Sequence, residues 1–159
     1  MTHALATGRL AAFILALALF AQPSLAQENG AEMWEKGNCG LCHGAFGQGG
    51  AGGEMPAGPS MRTTGLDRAQ LIETISCGRP GTAMPFNLDT AYKTSACYGL
   101  PVGTVPPETR QGANLKTAEV AALADFLIKE VKGQTTLTRA GCAAFFGGNL
   151  NFPLCTQYK

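Results

Sequence analysis

The segment Cys39-Gly-Leu-Cys42-His43 constrains this chain more than any other feature. Two cysteines separated by two residues and followed directly by a histidine are typical of the covalent attachment site of a c-type haem. Cys39 and Cys42 can each form a thioether with one vinyl group of a single porphyrin, and His43 then supplies a strong nitrogen ligand to the iron. Short helices and long loops can fold around such a large apolar ring, because the ring gives them a surface to pack against.

Two other kinds of site contain closely spaced cysteines. A redox-active dithiol is expected in a βαβ context, which this sequence does not show. A zinc site needs further cysteine or histidine ligands at close spacing, and the only other histidine, His3, lies in a segment that we expect to be removed. The surroundings of the motif therefore favour haem attachment over both alternatives.

Residues 1–26 have the pattern of a secretory signal peptide. Arg9 supplies the positive charge, Leu10 to Ala21 form an unbroken apolar run, and small residues precede a predicted cleavage after Ala26. An uncleaved membrane anchor is disfavoured, because the twelve apolar residues of this run are fewer than the roughly 20 that span a bilayer. We therefore expect export to the periplasm of a Gram-negative bacterium, with no stable membrane anchor after cleavage.

The charge of the mature chain restricts its partners. Removal of 26 residues from 159 leaves 133, which suits one compact domain. Arg9 is the only charged residue of the signal, so 11 basic and 11 acidic side chains remain and the polypeptide is formally neutral. Without a basic patch or a lysine cluster, we expect no nucleic acid partner and no electrostatic steering to an acidic protein. Redox partner proteins should instead dock on a weakly charged, mainly apolar surface.

Four cysteines remain outside the motif, namely Cys77, Cys97, Cys142 and Cys155. In an exported chain an even number suggests two disulfides, and four cysteines allow three connectivities. The pairing with the shortest loops joins Cys77 to Cys97 and Cys142 to Cys155, but the sequence does not decide between the three.

Three helices are predicted, and no alternation typical of a strand is sustained anywhere. A short amphipathic helix over 29–38 leads to the motif, and a second helix begins at about Asp67 as N-cap. Stretches rich in glycine and proline, 44–59 and 85–112, are predicted to be loops. The sequence thus predicts an all-α fold.

The third predicted helix is the clearest. It begins with Thr117 as N-cap and stops at Lys132-Gly133. Phe126 and Ile128 widen an apolar stripe that consists of Val120, Leu123, Ala124, Leu127 and Val131. We expect this stripe to face the core.

With its features in this order, the chain resembles the class I, monohaem, bacterial periplasmic c-type cytochrome family over residues 28–132. Gly30 and Trp34 look like the glycine and the aromatic residue of the family's first helix. Leu123 and Phe126 look like the residues of the family's last helix that these two contact. Gly58-Pro59 looks like the family's Gly-Pro, whose proline carbonyl accepts the proton of the ligand histidine's other ring nitrogen. The resemblance implies a cytochrome c-like fold packed around one covalently attached haem c.

The resemblance also implies a second axial ligand, Met84, which lies in the segment Gly-Thr-Ala-Met-Pro-Phe. Met55 precedes the Gly-Pro pair, against the order of the family, and lies only 12 residues after His43. Met33 belongs to the first helix, and Met61 occupies a position where the family often has an apolar residue. Met84, 41 residues beyond His43, is therefore the predicted ligand.

The chain departs from the family pattern at two places. Residues 86–115 form a longer insert before the last helix, and residues 133–159 form an aromatic, cysteine-containing extension beyond a cytochrome c domain of residues 27–132. The extension either packs against its own domain or forms a docking or self-association surface. A Cys77–Cys97 disulfide would enclose Met84, either as a plain structural staple or as a restraint that favours retention of the iron–sulfur bond.

Ligation by His43 and Met84 would fill both axial positions of the iron, so the resemblance implies a one-electron carrier and not an enzyme. Two other functions stay open. The insert and the extension suggest a haem c subunit fixed in a larger periplasmic dehydrogenase or oxidase, such as a quinoprotein alcohol dehydrogenase system. An enzyme or gas sensor with an open haem position would require that Met84 not ligate.

Overall fold

Short helices separated by long loops make up most of the structure. The computed structural model describes residues 29–50 and 55–159, so the predicted signal peptide of residues 1–26 lies outside the described residues. The elements follow in the order α1 Gly30–Lys36, α2 Gly40–His43, α3 Arg68–Cys77, β1 Phe86–Leu88, β2 Gln111–Leu115, α4 Thr117–Phe126 and α5 Arg139–Ala144. A π-helical segment, Leu127–Val131, continues α4, and a 3₁₀ turn, Pro153–Cys155, follows α5. Within the described residues no helix is long and apolar enough to cross a membrane.

Helix α1 crosses α4 at close range. Asn29 caps α1, because its side chain accepts a hydrogen bond from the Ala31 amide at 3.0 Å. At Gly30 an added Cβ would lie 2.3 Å from Phe126 Cβ and 2.4 Å from the Ala122 carbonyl oxygen. Glycine is therefore required at this position for the two helices to approach. The predicted contact of Gly30 with Phe126 is confirmed, and Ala122 is a further partner that the sequence did not indicate.

Replacing Gly30 with alanine is expected to destabilise the domain by about 1–3 kcal/mol, because the new methyl group overlaps atoms of α4. Chemical denaturation of the holoprotein, followed by circular dichroism, measures the change in the free energy of unfolding. Gly65→Ala is the matched control, since nothing lies within 4 Å of a Cβ placed there. Equal midpoints for the two variants would show that the helix crossing tolerates a larger residue.

Helix α3 starts where the sequence predicts. Asp67 caps it by accepting a hydrogen bond from the Gln70 amide at 2.9 Å, and the Gln70 side chain accepts one from the Asp67 amide at 2.9 Å. Leu71 and Ile75 are buried in the core, and the helix ends at Cys77. The end of α3 thus leads directly into the segment that carries the predicted second ligand.

A small parallel sheet corrects the all-α expectation. Strand β1 pairs with β2, with Phe86 opposite Gln111 and Leu88 opposite Leu115, and the register shifts between the two pairs. All three residues of β1 are buried, so the strand lacks the alternation by which a half-exposed strand is predicted. The predicted loop of residues 85–112 therefore contains β1 and the first residues of β2.

Helix α4 and its π-helical continuation carry the predicted apolar stripe. All five residues of the stripe are almost inaccessible to solvent, namely Val120, Leu123, Ala124, Leu127 and Val131. Two details differ from the prediction, since Lys116 and not Thr117 is the N-cap, and Ile128 is exposed and does not widen the stripe. With 3.6 residues per turn, Ile128 falls at the edge of the stripe that Leu127 and Val131 continue, so its side chain is exposed while theirs are buried.

Both disulfides have the short-loop pairing. Cys77 bonds to Cys97, with 5.6 Å between the Cα atoms, and joins the end of α3 to the insert. Cys142 bonds to Cys155, with 5.4 Å between the Cα atoms, and joins α5 to the 3₁₀ turn. The structure thus forms one of the three connectivities that the sequence left open.

The extension of residues 133–159 folds back onto the domain. The Phe145 ring packs against Phe126, Phe46 and Trp34, with centroid distances of 5.0, 5.5 and 5.8 Å. Trp34 is itself buried in the core beside α4. Of the two alternatives for the extension, the structure shows packing against its own domain.

Candidate functional site

Helix α2 and its N-cap residue together carry the two cysteines and the histidine of the attachment motif. Cys39 caps the helix, and its carbonyl oxygen accepts hydrogen bonds from the amides of Cys42 and His43 at 3.3 and 2.9 Å. Residues three apart on a helix lie on the same face, so the two cysteines are on one side of this single turn. Neither cysteine is in a disulfide. The turn therefore presents two free thiols and an imidazole together, as attachment to one porphyrin requires.

The Cys39 thiol is not an activated nucleophile. The residue is partly exposed to solvent, but desolvation of its sulfur raises the pKa of the thiol to about 12. A redox-active dithiol needs a thiol of lowered pKa. A zinc site gains no support either, because among residues 29–50 and 55–159 no group of three or more His, Cys, Asp or Glu side chains could hold a metal ion.

The His43 ring is held by the backbone of the Gly58-Pro59 pair. Its Nδ1 lies 2.8 Å from the Pro59 carbonyl oxygen, and because a carbonyl only accepts, we assign the proton to Nδ1. The Gly58 amide donates to the Cys42 carbonyl oxygen at 2.7 Å. This tautomer leaves Nε2 without a proton and available as a nitrogen ligand. The structure thus brings His43 and Pro59 together as the sequence predicts.

Gly58 is required for this arrangement. An added Cβ would lie 2.7 Å from His43 Nδ1 and 2.9 Å from the Cys42 carbonyl oxygen, so a larger residue would displace the imidazole ring. On another side of His43 lies Trp34, with 6.3 Å between the ring centroids. The sequence assigned Trp34 to helix packing alone. The packing of Trp34 beside His43 was missed, because it depends on how α1 leads into α2.

Two adjoining cavities, with volumes of about 500 and 1030 Å³, open beside His43. Six of the lining residues are common to the two cavities, namely Cys42, His43, Pro56, Thr82, Ala83 and Met84. The smaller cavity is also lined by apolar side chains of Leu66, Leu71, Ile75 and Leu127, and the larger one reaches Cys39. An apolar space bounded by both thiols, an oriented imidazole and a thioether fits a covalently attached haem.

Met84 is one of three methionines that line these cavities. Met61 lines the smaller cavity and Met55, which is 44% exposed, lines the larger, whereas Met84 lines both. Met33 is buried among core residues of α1. The structure therefore places Met84 and His43 at the same space.

A Cys-x-x-Cys-His turn beside an apolar cavity of this size defines a c-type cytochrome. Residues 27–129 match the family model described as cytochrome c, and the chain belongs to this family. One relative, cytochrome c55X of Stutzerimonas stutzeri, is 42% identical over 77 residues, which are 48% of this chain and 66% of that protein. The chain thus spans just under two thirds of that relative's length. No solved structure shows significant similarity to the chain.

Membership of the cytochrome c family implies a covalently bound haem c and haem-based electron transfer. Members of the family are electron carriers, which agrees with the prediction that the chain is not an enzyme. The matched region includes the attachment motif, Gly58-Pro59 and Met84 and ends before the extension of residues 133–159.

Proposed function

We propose that the chain is a one-electron carrier with a single haem c, attached through Cys39 and Cys42 and ligated by His43 and Met84. One observation carries this proposal: His43, oriented by the Pro59 carbonyl, borders the same apolar space as Met84. The sequence contains one Cys-x-x-Cys-His motif, which supports one haem per chain.

The chain's own side chains would determine how the site works. A bound haem supplies an iron that accepts and releases one electron. The hydrogen bond from His43 Nδ1 to the Pro59 carbonyl orients the imidazole and increases electron donation from Nε2. The thioether of Met84, as second ligand, favours the reduced state and raises the potential. With His43 and Met84 both bound to it, the iron would offer a substrate no open position, which supports electron transfer as the function.

Export to the periplasm of a Gram-negative bacterium is part of the same proposal. The signal pattern of residues 1–26 supports it, and so do the two disulfides, because disulfides persist in oxidising compartments. After cleavage the chain would have no stable membrane anchor. Fractionation of cells that express the full chain tests this, and a mature protein whose mass still includes residues 1–26 would contradict it.

The proposed partners are redox proteins, a donor such as a dehydrogenase and an acceptor such as an oxidase, and no nucleic acid. Leu41 and Met55, which are 49% and 44% exposed, give the larger cavity an apolar rim beside Cys42. Docking at this rim would bring a partner close to the attached group. Redox encounters of this kind are small and transient, since they typically bury less than about 1,200 Å² in total.

A second candidate is a haem c subunit fixed in a larger periplasmic dehydrogenase or oxidase, for example a quinoprotein alcohol dehydrogenase system. The observation that favours it is a set of exposed apolar residues on the insert and the extension, none of which lines either cavity, namely Val102, Val105, Leu150 and Leu154. Purification of the chain from its own cells separates the two functions. A partner at defined stoichiometry would support the fixed subunit, and a monomer would support the free carrier.

Met84→Ala is expected to abolish the weak near-infrared band of ferric iron–thioether ligation and to allow the reduced protein to bind carbon monoxide, because one axial position loses its side chain. Absorption spectra of the ferric and ferrous holoprotein measure both effects. Met55→Ala and Met61→Ala are matched controls, since these methionines line the same cavities. A band that survives in Met84→Ala and disappears in one control would move the ligand to that residue. Carbon monoxide binding by the unsubstituted protein would instead favour an open site.

A further inference from the structure

The methionine loop, residues 78–85, leaves α3 and returns to β1 at nearly the same point. A Cβ placed on Gly78, whose φ is +67°, would lie 2.7 Å from the Phe86 amide nitrogen and 2.8 Å from the Met84 carbonyl oxygen. The Arg79 amide donates to that same Met84 oxygen at 3.2 Å. Within the loop, the Thr82 hydroxyl accepts a hydrogen bond from the Met84 amide at 3.2 Å. The two ends of the loop are therefore in contact, and a hydrogen bond within the loop fixes the backbone at Met84.

The insert of residues 86–115 is bonded to the N-terminal end of this loop. Cys97 is bonded to Cys77, the last residue of α3. The Tyr92 hydroxyl donates to the Cys77 carbonyl oxygen at 2.9 Å, and the Tyr98 hydroxyl donates to the Gly78 carbonyl oxygen at 2.6 Å. Tyr92 is almost completely buried, and this burial raises the pKa of its phenol, with Tyr98 as a smaller cause. Tyr92 therefore remains a neutral donor at physiological pH.

The insert also contacts the C-terminal end of the methionine loop. The buried Asn87 side chain donates from Nδ2 to the carbonyl oxygens of Pro85 at 3.3 Å and Ile75 at 3.4 Å. Its Oδ1 accepts a hydrogen bond from the Ala113 amide at 3.1 Å. One side chain thus joins the end of the methionine loop to both α3 and β2. Gly112 makes room for it, because a Cβ there would lie 2.3 Å from Asn87 Oδ1.

We propose that the insert is a clamp that keeps Met84 in place, with Asn87 and Tyr92 as positioning residues. This inference rests on the proposed ligation of iron by Met84. Because both ends of the methionine loop are held, a detached loop gains little conformational freedom, and displacement of the thioether is disfavoured. An external ligand must therefore compete against a preorganised sulfur atom.

Imidazole is the probe that tests the clamp. Titration of the ferric holoprotein with imidazole, followed by loss of the near-infrared band, measures how readily Met84 is displaced. Asn87→Ala removes three hydrogen bonds, so its apparent imidazole affinity should rise by roughly tenfold. Tyr92→Phe removes only the hydroxyl and keeps the ring, which packs on Phe86 with 5.4 Å between centroids, so it should fold normally and show a smaller increase.

Asp67→Ala is the matched control, because it removes the cap at the far end of the same helix, α3. It should lower the melting temperature and leave the imidazole affinity unchanged. If the unsubstituted protein lacks the near-infrared band, ligation by Met84 fails, and the clamp fails with it. If the band is present but both Tyr92→Phe and Asn87→Ala bind imidazole like the unsubstituted protein, the clamp is overturned while ligation stands. Should Asn87→Ala not fold, Tyr92→Phe decides alone.

Discussion

A variant with both Cys39 and Cys42 replaced by alanine is expected to contain no covalently bound haem. The two free thiols lie on one side of α2, and without them neither thioether can form. A haem held only by the proposed ligands His43 and Met84 would be lost when the chain is denatured. Haem staining after denaturing electrophoresis, together with the intact mass, measures an effect that should be complete.

The matched control replaces the same number of cysteines elsewhere. A variant with Cys142 and Cys155 changed to alanine loses the disulfide of the extension but keeps the attachment motif. It should retain its haem stain, although its free energy of unfolding should fall by about 2–4 kcal/mol. Haem that stays on the Cys39 and Cys42 variant through denaturation would contradict the assignment of these residues.

The local parts of the site could be predicted because they lie close together in the sequence. The motif occupies five consecutive residues, so one helical turn is enough to present both thiols and His43 together. Pro59 is 16 residues away from His43, but the Gly-Pro pair to which it belongs is itself a recognisable pattern. The cap Asp67 of α3 was predictable for the same reason, since its side chain acts on a residue three positions away.

The Cys77–Cys97 pairing that holds the methionine loop was among those that the sequence allows. The hydrogen bonds that hold this loop could not be predicted, because they join residues that are distant in sequence. Asn87 contacts Ala113, and Tyr92 contacts Cys77 through its hydroxyl group. An asparagine or a tyrosine in a segment rich in glycine and proline gives no sign of such a partner. The sheet was missed for a related reason, since β1 has three residues, all buried, and pairs with a strand more than twenty positions further along the chain.

Phe145→Ala is expected to lower the free energy of unfolding by about 2–4 kcal/mol, although Phe145 lies outside the predicted cytochrome c domain. Its ring contacts Phe126, Phe46 and Trp34, so truncation leaves a gap against three aromatic rings of the domain. Chemical denaturation of the holoprotein measures the change. Leu154→Ala is the control in the same extension, because Leu154 is 54% exposed and its loss should change stability by less than about 0.5 kcal/mol.

The number of steps in the unfolding transition then tests whether the domain of residues 27–132 and the extension of residues 133–159 are separate folding units. The Gly133 amide donates to the Arg62 carbonyl oxygen at 2.7 Å, and Phe145 packs on Trp34, which in turn contacts His43. These contacts join the extension to the side of the core that holds His43, so the extension and the domain should unfold in one cooperative transition. A separate early transition in the unsubstituted protein, or a Phe145→Ala variant as stable as Leu154→Ala, would mean that the extension is an independent appendage.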